Sequence, residues 1–283
     1  MDDRLPPFSV GSPSEIQPSV SREPSRMRSA LLTVLHVSLA AAPARAQAFR
    51  GFRDPVARAD LLFAADQPLA AYEILLAHVA SNPNDYQALW RVARSGVVAS
   101  IDIEDNYEQN SYLDPALHYA GNAVDLRPDG LDGVYWRGVA AGRRALNAGS
   151  RYSVELAQIV YEDAHTLLAA DSLHAGAHNM LGKLNYEVMS LSRFERAVAR
   201  MFMGNPALGD TSWKNAEEHL AKAVEVSPDD ILFRFDLGAL HEKRGREEQA
   251  VVHLREALRL APMQPIDAYV QEQAATLLED IER

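Results

Sequence analysis

The sequence predicts an all-α solenoid of stacked helix pairs, on three observations. First, two segments repeat one order of small and large residues. Leu237-Gly238 is followed by Ala250, Leu254, Ala257 and Pro262, and Leu181-Gly182 by Ala216, Leu220, Ala223 and Pro228. Second, the apolar period is about 3.6 residues and breaks at Arg244-Gly245-Arg246, so two helices run antiparallel around a short turn. Third, the composition suits helices: alanine and leucine dominate, 7% of residues are aromatic and 24% charged. The small residues let two helices touch, and the leucines fill the space between. A helix pair cannot bury both its faces alone, so each pair implies neighbours. This is the pattern of a tetratricopeptide unit of about 34 residues. The fold class is therefore a tetratricopeptide-like α-solenoid of about five helix pairs with a C-terminal capping helix.

Charge and cysteine content narrow the chemistry. The chain has no cysteine, which excludes disulfides and thiolate metal sites. A formal charge of −11 over 283 residues speaks against nucleic acid as a partner.

Residues 1–26 carry Pro6, Pro7, Pro13, Pro18 and Pro24 among many serines without an apolar period. Such a segment is expected to be disordered, or to precede the true start at Met27. From Met27 to Ala46 the chain has the parts of a secretory signal. Arg26 and Arg28 are basic, Ala30 to Ala42 is uncharged, and Ala44-Arg45-Ala46 is a small-x-small cleavage triplet. Cleavage there leaves a mature chain from Gln47 with 23 basic and 35 acidic residues, a net −12. The mature chain is expected in the periplasm or outside the cell, with no integral membrane span.

The helix pairs then follow in order over residues 47–283. Ala71, Leu75 and Pro83 mark the second helix of a first unit, whose first helix lies near Arg58 to Ala65. The stretch A-L-W-R-V-A-R-S-G opens a second unit, closed by Ala116, Ala120, Ala123 and Pro128, with the polar loop I-D-I-E-D-N-Y-E-Q-N between. V-Y-W-R-G-V-A-A-G opens a third, whose second helix near Val154 to Ala169 departs from the pattern. H-A-G-A-H-N-M-L-G opens a fourth, but roughly 20 extra residues against the standard repeat precede Ala216. This insertion covers about 188–210. A fifth pair follows from Ile231. Ile266, Val270, Ala274 and Leu278 then share one face of the final helix, the cap that a solenoid end requires.

Three of these segments resemble the regulator of microtubule dynamics protein family over about Asp60 to Glu282. They are A-L-W-R-V-A-R, Y-W-R-G-V-A, and L-S-R-F-E-R-A-V-A-R-M-F inserted before N-A-E-E-H-L-A-K-A-V-E-V-S-P. The place of the insertion is the sharper sign. The resemblance implies a tetratricopeptide-like fold and a binding module. Its animal members are linked to microtubules, to mitochondria–endoplasmic reticulum contacts and, in one case, to phospholipid. This chain differs in carrying an export-type leader where those members have a membrane anchor.

Constellations that could carry chemistry are incomplete. His174 and His178 lie one helical turn apart, with His165 earlier in the chain, but without a carboxylate between them or a cysteine they read as ordinary histidines. Asp102, Glu104, Asp105 and Glu108 have the carboxylate density of a calcium loop but lack its glycine, so they read as a solvated acidic loop. No phosphate-cradling loop, dinucleotide fingerprint or serine elbow occurs. Leu191, Phe194, Val198 and Phe202 on one face of the insertion, with Arg193, Arg196 and Arg200 on the other, fit a helix packed on a neighbour. A helix lying on an anionic membrane has the same pattern.

The expected role is thus non-catalytic, without cofactor or metal. The leading expectation is a protein- or peptide-binding scaffold; the alternative is a carrier of a lipid or other anionic amphiphile in the groove. An enzyme with an unrecognised site is a third, remoter class. In a stacked array the first helix of each pair lines the concave side. Counting along the units places Trp90, Arg94, Tyr135, Arg143, Asn179, Lys183, Tyr186 and Phe235 there, with Val97, Glu242 and Lys243 beside them. An anionic head is expected between Arg94 and Lys183, with apolar parts against Trp90, Tyr135 and Phe235.

Overall fold

Aspartate starts helix after helix in this chain. In the computed structural model, Asp85 Oδ1 accepts from the backbone N–H groups of Gln87 and Ala88 at 3.0 and 3.2 Å, and Asp230 Oδ1 from that of Phe233 at 3.1 Å. Each carboxylate satisfies donors that a helix start leaves orphaned, which is worth about 1 kcal/mol. At the corresponding turn before the third unit stands Gly130, which has no side chain to cap with. The Tyr86 ring occupies the space a side chain would need, its Cζ 2.5 Å from the would-be Cβ, and its hydroxyl accepts from Gly133 N–H at 3.1 Å. A tyrosine of one unit thus replaces the missing cap of the next.

The structure describes residues 54–192, 196, 209 and 211–283, all within the unit that spans 48–283. The expected start, signal and cleavage site lie outside the described residues, as do Arg193, Phe194, Val198, Arg200 and Phe202. Eleven helices are present among the described residues. Five pairs follow one another: α1 (Pro55–Ala64) with α2 (Pro68–Ser81), α3 (Tyr86–Ala99) with α4 (Asn106–Leu126), α5 (Leu131–Leu146) with α6 (Ser150–Ala170), α7 (Ala175–Ser190) with α8 (Trp213–Val226), and α9 (Ile231–Lys243) with α10 (Glu247–Arg259). The cap is α11 (Asp267–Glu282). This is the all-α, tetratricopeptide-like solenoid that the repeat pattern predicts.

Packing follows the small positions. Ala71, Ala116, Ala120, Ala216, Ala223, Ala250 and Ala257 are fully buried, and so are Leu75, Leu220 and Leu254. Each such leucine contributes about 1.5–3 kcal/mol by leaving water. Gly182 and Gly238 do the same job in successive pairs. A Cβ on Gly182 would stand 2.6 Å from Leu220 Cγ, and one on Gly238 3.0 Å from Leu254 Cγ. Val270 and Ala274 of α11 cover the open end of α9 and α10 in a shared core with Ile231, Ala250 and Leu254.

One local expectation is corrected. The polar loop after α3 is shorter than its composition suggests, because α4 already begins at Asn106. Asp105 is its cap, accepting from Glu108 N–H at 2.8 Å, so this acidic stretch serves a helix start. The second helix of the third unit is a regular 21-residue helix although its sequence departs from the repeat. Its irregular residue is Asp163, buried and held by Arg137 at 2.5 and 3.0 Å. Helix α7 runs through Ser190, into the expected bounds of the insertion. No helix among the described residues is long and apolar enough to cross a membrane.

Candidate binding site on the concave face

The first helices of the pairs, the N-terminal half of α6 and the cap line an open cavity of about 1510 Å³. Seven of the eight residues placed by counting line it: Trp90, Arg94, Tyr135, Arg143, Asn179, Lys183 and Phe235. The wall between them is apolar, with Val97, Val139, Val154, Met180, Leu184 and Ile266 among its members. Tyr186 is elsewhere. Its ring meets Trp213 edge-on at 6.0 Å in the seam between α7 and α8, with Lys183 Nζ 4.9 Å from its centroid. The stripe of α7 that faces the cavity runs through Met180, Lys183, Leu184 and Glu187, with Asn179 at its edge. Tyr186 falls just beyond that edge, on the side of α8.

The cations differ in what holds them. Arg94 Nη2 donates to Asp60 Oδ1 at 2.6 Å, and Arg91 Nε donates to both Asp60 oxygens at 2.9 Å. Burial pushes the Asp60 carboxyl up, but its bonds to Arg91 and Arg94 together hold it below the ordinary carboxylate range. The Arg94 guanidinium also lies 4.0 Å over the Phe63 ring and 5.3 Å from that of Trp90. Lys183 Nζ is 3.2 Å from Asp236 Oδ1 and 3.5 Å from Glu187 Oε1. Burial works against its charge, yet Asp236 first and then Glu187 leave its pKa raised. Its 37% exposed side chain faces the cavity rather than bulk water. Asp236 is only 4% exposed and also accepts from Asn179 Nδ2 at 2.9 Å. Arg151 pairs with Glu155 at 3.3 Å, and Arg196 donates to the carbonyls of Met189 and Leu191.

Arg143 is the exception. Among the described residues it makes no hydrogen bond or ion pair, and its buried Nε has no partner. Burial lowers its pKa, with the Tyr269 hydroxyl, Asp236 and Glu187 only partly offsetting this from a distance. Both cations of the expected anion seat already have carboxylate partners, Arg94 sharing Asp60 with Arg91 and Lys183 holding Asp236 and Glu187. What the cavity leaves uncompensated is one guanidinium on α5, beside Tyr269 of the cap. Tyr135 stands on the same helix, edge-on to Trp136 at 5.2 Å, and burial raises its hydroxyl to about 12, so it stays neutral.

Sequence reasoning missed Asp60 and Asp236, and it missed the cap's share in the wall through Ile266, Tyr269 and Val270. One signal was available: Asp60 precedes Arg94 by 34 residues, one repeat. Among the described residues there is no cluster of three potential metal ligands. His174 caps α7 through Nδ1, which accepts from Ala177 N–H at 3.0 Å.

A family model described as regulator of microtubule dynamics protein 1-3 matches residues 56–282, from α1 to the end of α11. The chain belongs to this family. In this member the matched region coincides with the five pairs and the cap. No curated protein sequence matches it. Among solved structures, TTC0263, a thermophilic tetratricopeptide protein of Thermus thermophilus, is similar with a TM-score of 0.56 at 19% identity, covering 80% of this chain and 98% of that one. That likeness shows the fold. MamA of Desulfovibrio magneticus RS-1 matches with a TM-score of 0.41 at 16% identity over 76% of this chain and 94% of that one. YrrB, a tetratricopeptide protein with an unusual peptide-binding site, matches with 0.40 at 13% identity over 78% and 90%.

Proposed function

We propose that this helical-repeat scaffold is a non-catalytic binder of an amphiphile with an anionic head, held in the concave cavity. The observation that carries the reading is the contrast between an apolar wall and one unpartnered guanidinium, Arg143. Carboxylate and phosphate both accept from a guanidinium fork, and such charge-assisted bonds are about twice as strong as neutral ones. Apolar chains would lie along Val97, Val139, Val154 and Leu184, toward Trp90. Non-polar pockets with a few placed polar groups are the usual form of small-ligand sites. The leader at 27–46 supports a setting in the periplasm or outside the cell.

A second reading is a peptide with apolar side chains. The recurrence of Trp90, Tyr135 and Phe235, one on each of three first helices, favours it. Native mass spectrometry of the exported protein, followed by solvent extraction, separates the two. One extractable amphiphile per chain is expected. A peptide adduct instead would replace the first reading by the second, and an empty cavity after purification without detergent would count against both.

A further inference from the structure

Four of the nine histidines stand in two pairs across the seams of the last two units. His178 of α7 and His219 of α8 bring their Nδ1 atoms to 3.0 Å. His178 Nε2 is 3.1 Å from the Ser172 carbonyl oxygen, which can only accept. Nε2 therefore carries the proton, the neutral ring offers Nδ1 as acceptor, and His219 Nδ1 is the donor. One added proton is accommodated, because His219 can shift its own proton to Nε2 and accept at Nδ1; with both rings protonated, two Nδ1–H groups oppose each other across this contact. The other charged or titratable groups that act on His219 are His165 of α6 and Glu218 beside it on α8. His241 of α9 and His253 of α10 stack with centroids 5.4 Å apart and planes at 18°. Neither Nδ1 has a partner. Arg246, Glu217 and Arg234 face this pair, but Arg246 already holds both Glu217 oxygens at 2.8 and 2.9 Å, so no free carboxylate is left to stabilise an imidazolium.

These seams back the cavity. Helices α7 and α9 supply Asn179, Lys183, Leu184, Leu232, Phe235 and Asp236 to its wall, and α8 and α10 lie behind them. We infer that the two histidine pairs are an acid-sensitive latch: protonation loosens α8 from α7 and α10 from α9, and so opens the C-terminal half of the cavity wall. Release of the ligand by this opening rests on the proposed function of the cavity.

The direction of the linkage is consistent. Burial, then the neighbouring cations and histidines, lower His219 and His241 and bring His253 to about 4. All three fall below the ordinary 6.5, so the open chain binds more protons than the closed one. The closed form is fully favoured above about pH 6.5 and is lost progressively as pH falls toward about 4.

Hydrogen exchange of the whole chain at pH 7.5 and 5.0, corrected for intrinsic rates, tests the latch. Protection in α8 and α10 should fall at least about tenfold at the lower pH, while α3 to α5 change little. A uniform change along the chain, or none, would overturn the inference. The double variant His219→Gln, His253→Phe keeps a hydrogen-bonding amide and a stacking ring and should lose the local pH effect; if it kept that effect, other groups would be responsible. Each single variant gives the same reading for its own seam should the double variant not fold. Retention of the fluorescent fatty acid cis-parinaric acid, followed in parallel, should fall with α8 and α10 protection. Loss of protection without any uptake of the probe at pH 7.5 would leave the latch standing and overturn the amphiphile reading. Uptake that persists at pH 5.0 through the opening would break the link between latch and release.

Discussion

Arg94 Nη2 rests 2.6 Å from Asp60 Oδ1, and the two residues are one repeat apart in the chain. The contact ties α3 back to α1, and Arg91 joins it on the same carboxylate. Two guanidinium groups on one carboxylate leave a residual positive charge at this end of the cavity. That charge is screened, because Asp60 is 37% exposed. A cation expected to take ligand is used here to register one unit on the next.

The variant Asp60→Asn should therefore have two effects of opposite sign. Removing the shared carboxylate should cost about 1 kcal/mol, discounted for its exposure. It should also free Arg94, whose Nε already lacks a partner, to reach into the cavity. Anionic-probe affinity should rise severalfold while the melting temperature falls by a few degrees. Calorimetry with a probe-binding titration checks both, and a fall in affinity would show that Arg94 does not reach the ligand. The stabilising effect of the Asp60 contacts is present above the ordinary carboxylate pKa and is lost as pH falls through the lowered folded value, so the difference between wild type and variant should shrink in strong acid.

The repeat was legible because it is written in small residues at fixed intervals. Gly182 against Leu220 and Gly238 against Leu254 are the same contact made twice, and steric need imposes the same residue types each time. Seven of the eight counted positions reach the cavity for a similar reason: a helical stripe repeats with the repeat. The charge balance inside was not legible. Asn179 and Asp236 meet across 57 residues of chain, and no interval rule links two different units through the insertion. The departure of α6 from the repeat has a physical counterpart in Asp163, a buried acid that breaks the apolar pattern without breaking the helix.

Packing at the small positions is rigid on one side and slack on another. Ala250 is fully buried, so Ala250→Leu should overpack the seam between α9 and α10 and cost about 1–3 kcal/mol. Gly182→Ala should cost a similar amount, because its Cβ would approach the Leu220 backbone nitrogen to 2.9 Å. At Gly142 the nearest atom is Val160 Cγ2 at 3.6 Å, and Gly142→Ala should gain about 0.5–1 kcal/mol from helix propensity. Substitution of the exposed Glu247 should change stability by under about 0.5 kcal/mol. Thermal melts that ranked these four alike would refute the register.

Export is testable without knowledge of any ligand. The leader pattern places cleavage after Ala46, so N-terminal sequencing of protein recovered from outside the cytoplasm should begin at Gln47. Recovery of material starting at Met1 would contradict the leader reading.

The sharpest separation of binding from folding lies between Arg143 and Lys183. Both cations face the cavity from neighbouring first helices, but only Lys183 has a counterion to lose. Lys183→Leu would leave Asp236 buried with Asn179 as its remaining donor, and should cost about 1–3 kcal/mol for the uncompensated charge. Arg143→Leu removes a charge that burial already disfavours, so its melting temperature should hold or rise slightly. If the head of the ligand is met by Arg143, the same substitution should weaken capture of an anionic amphiphile at least tenfold, or about 1.4 kcal/mol. It should leave a neutral amphiphile of equal chain length nearly unaffected. The paired measurement is a thermal melt and a titration with the charged and neutral probes. Equal weakening of both probes would mean that Arg143 acts through the shape of the wall, and unchanged capture of the anion would return the head to Lys183.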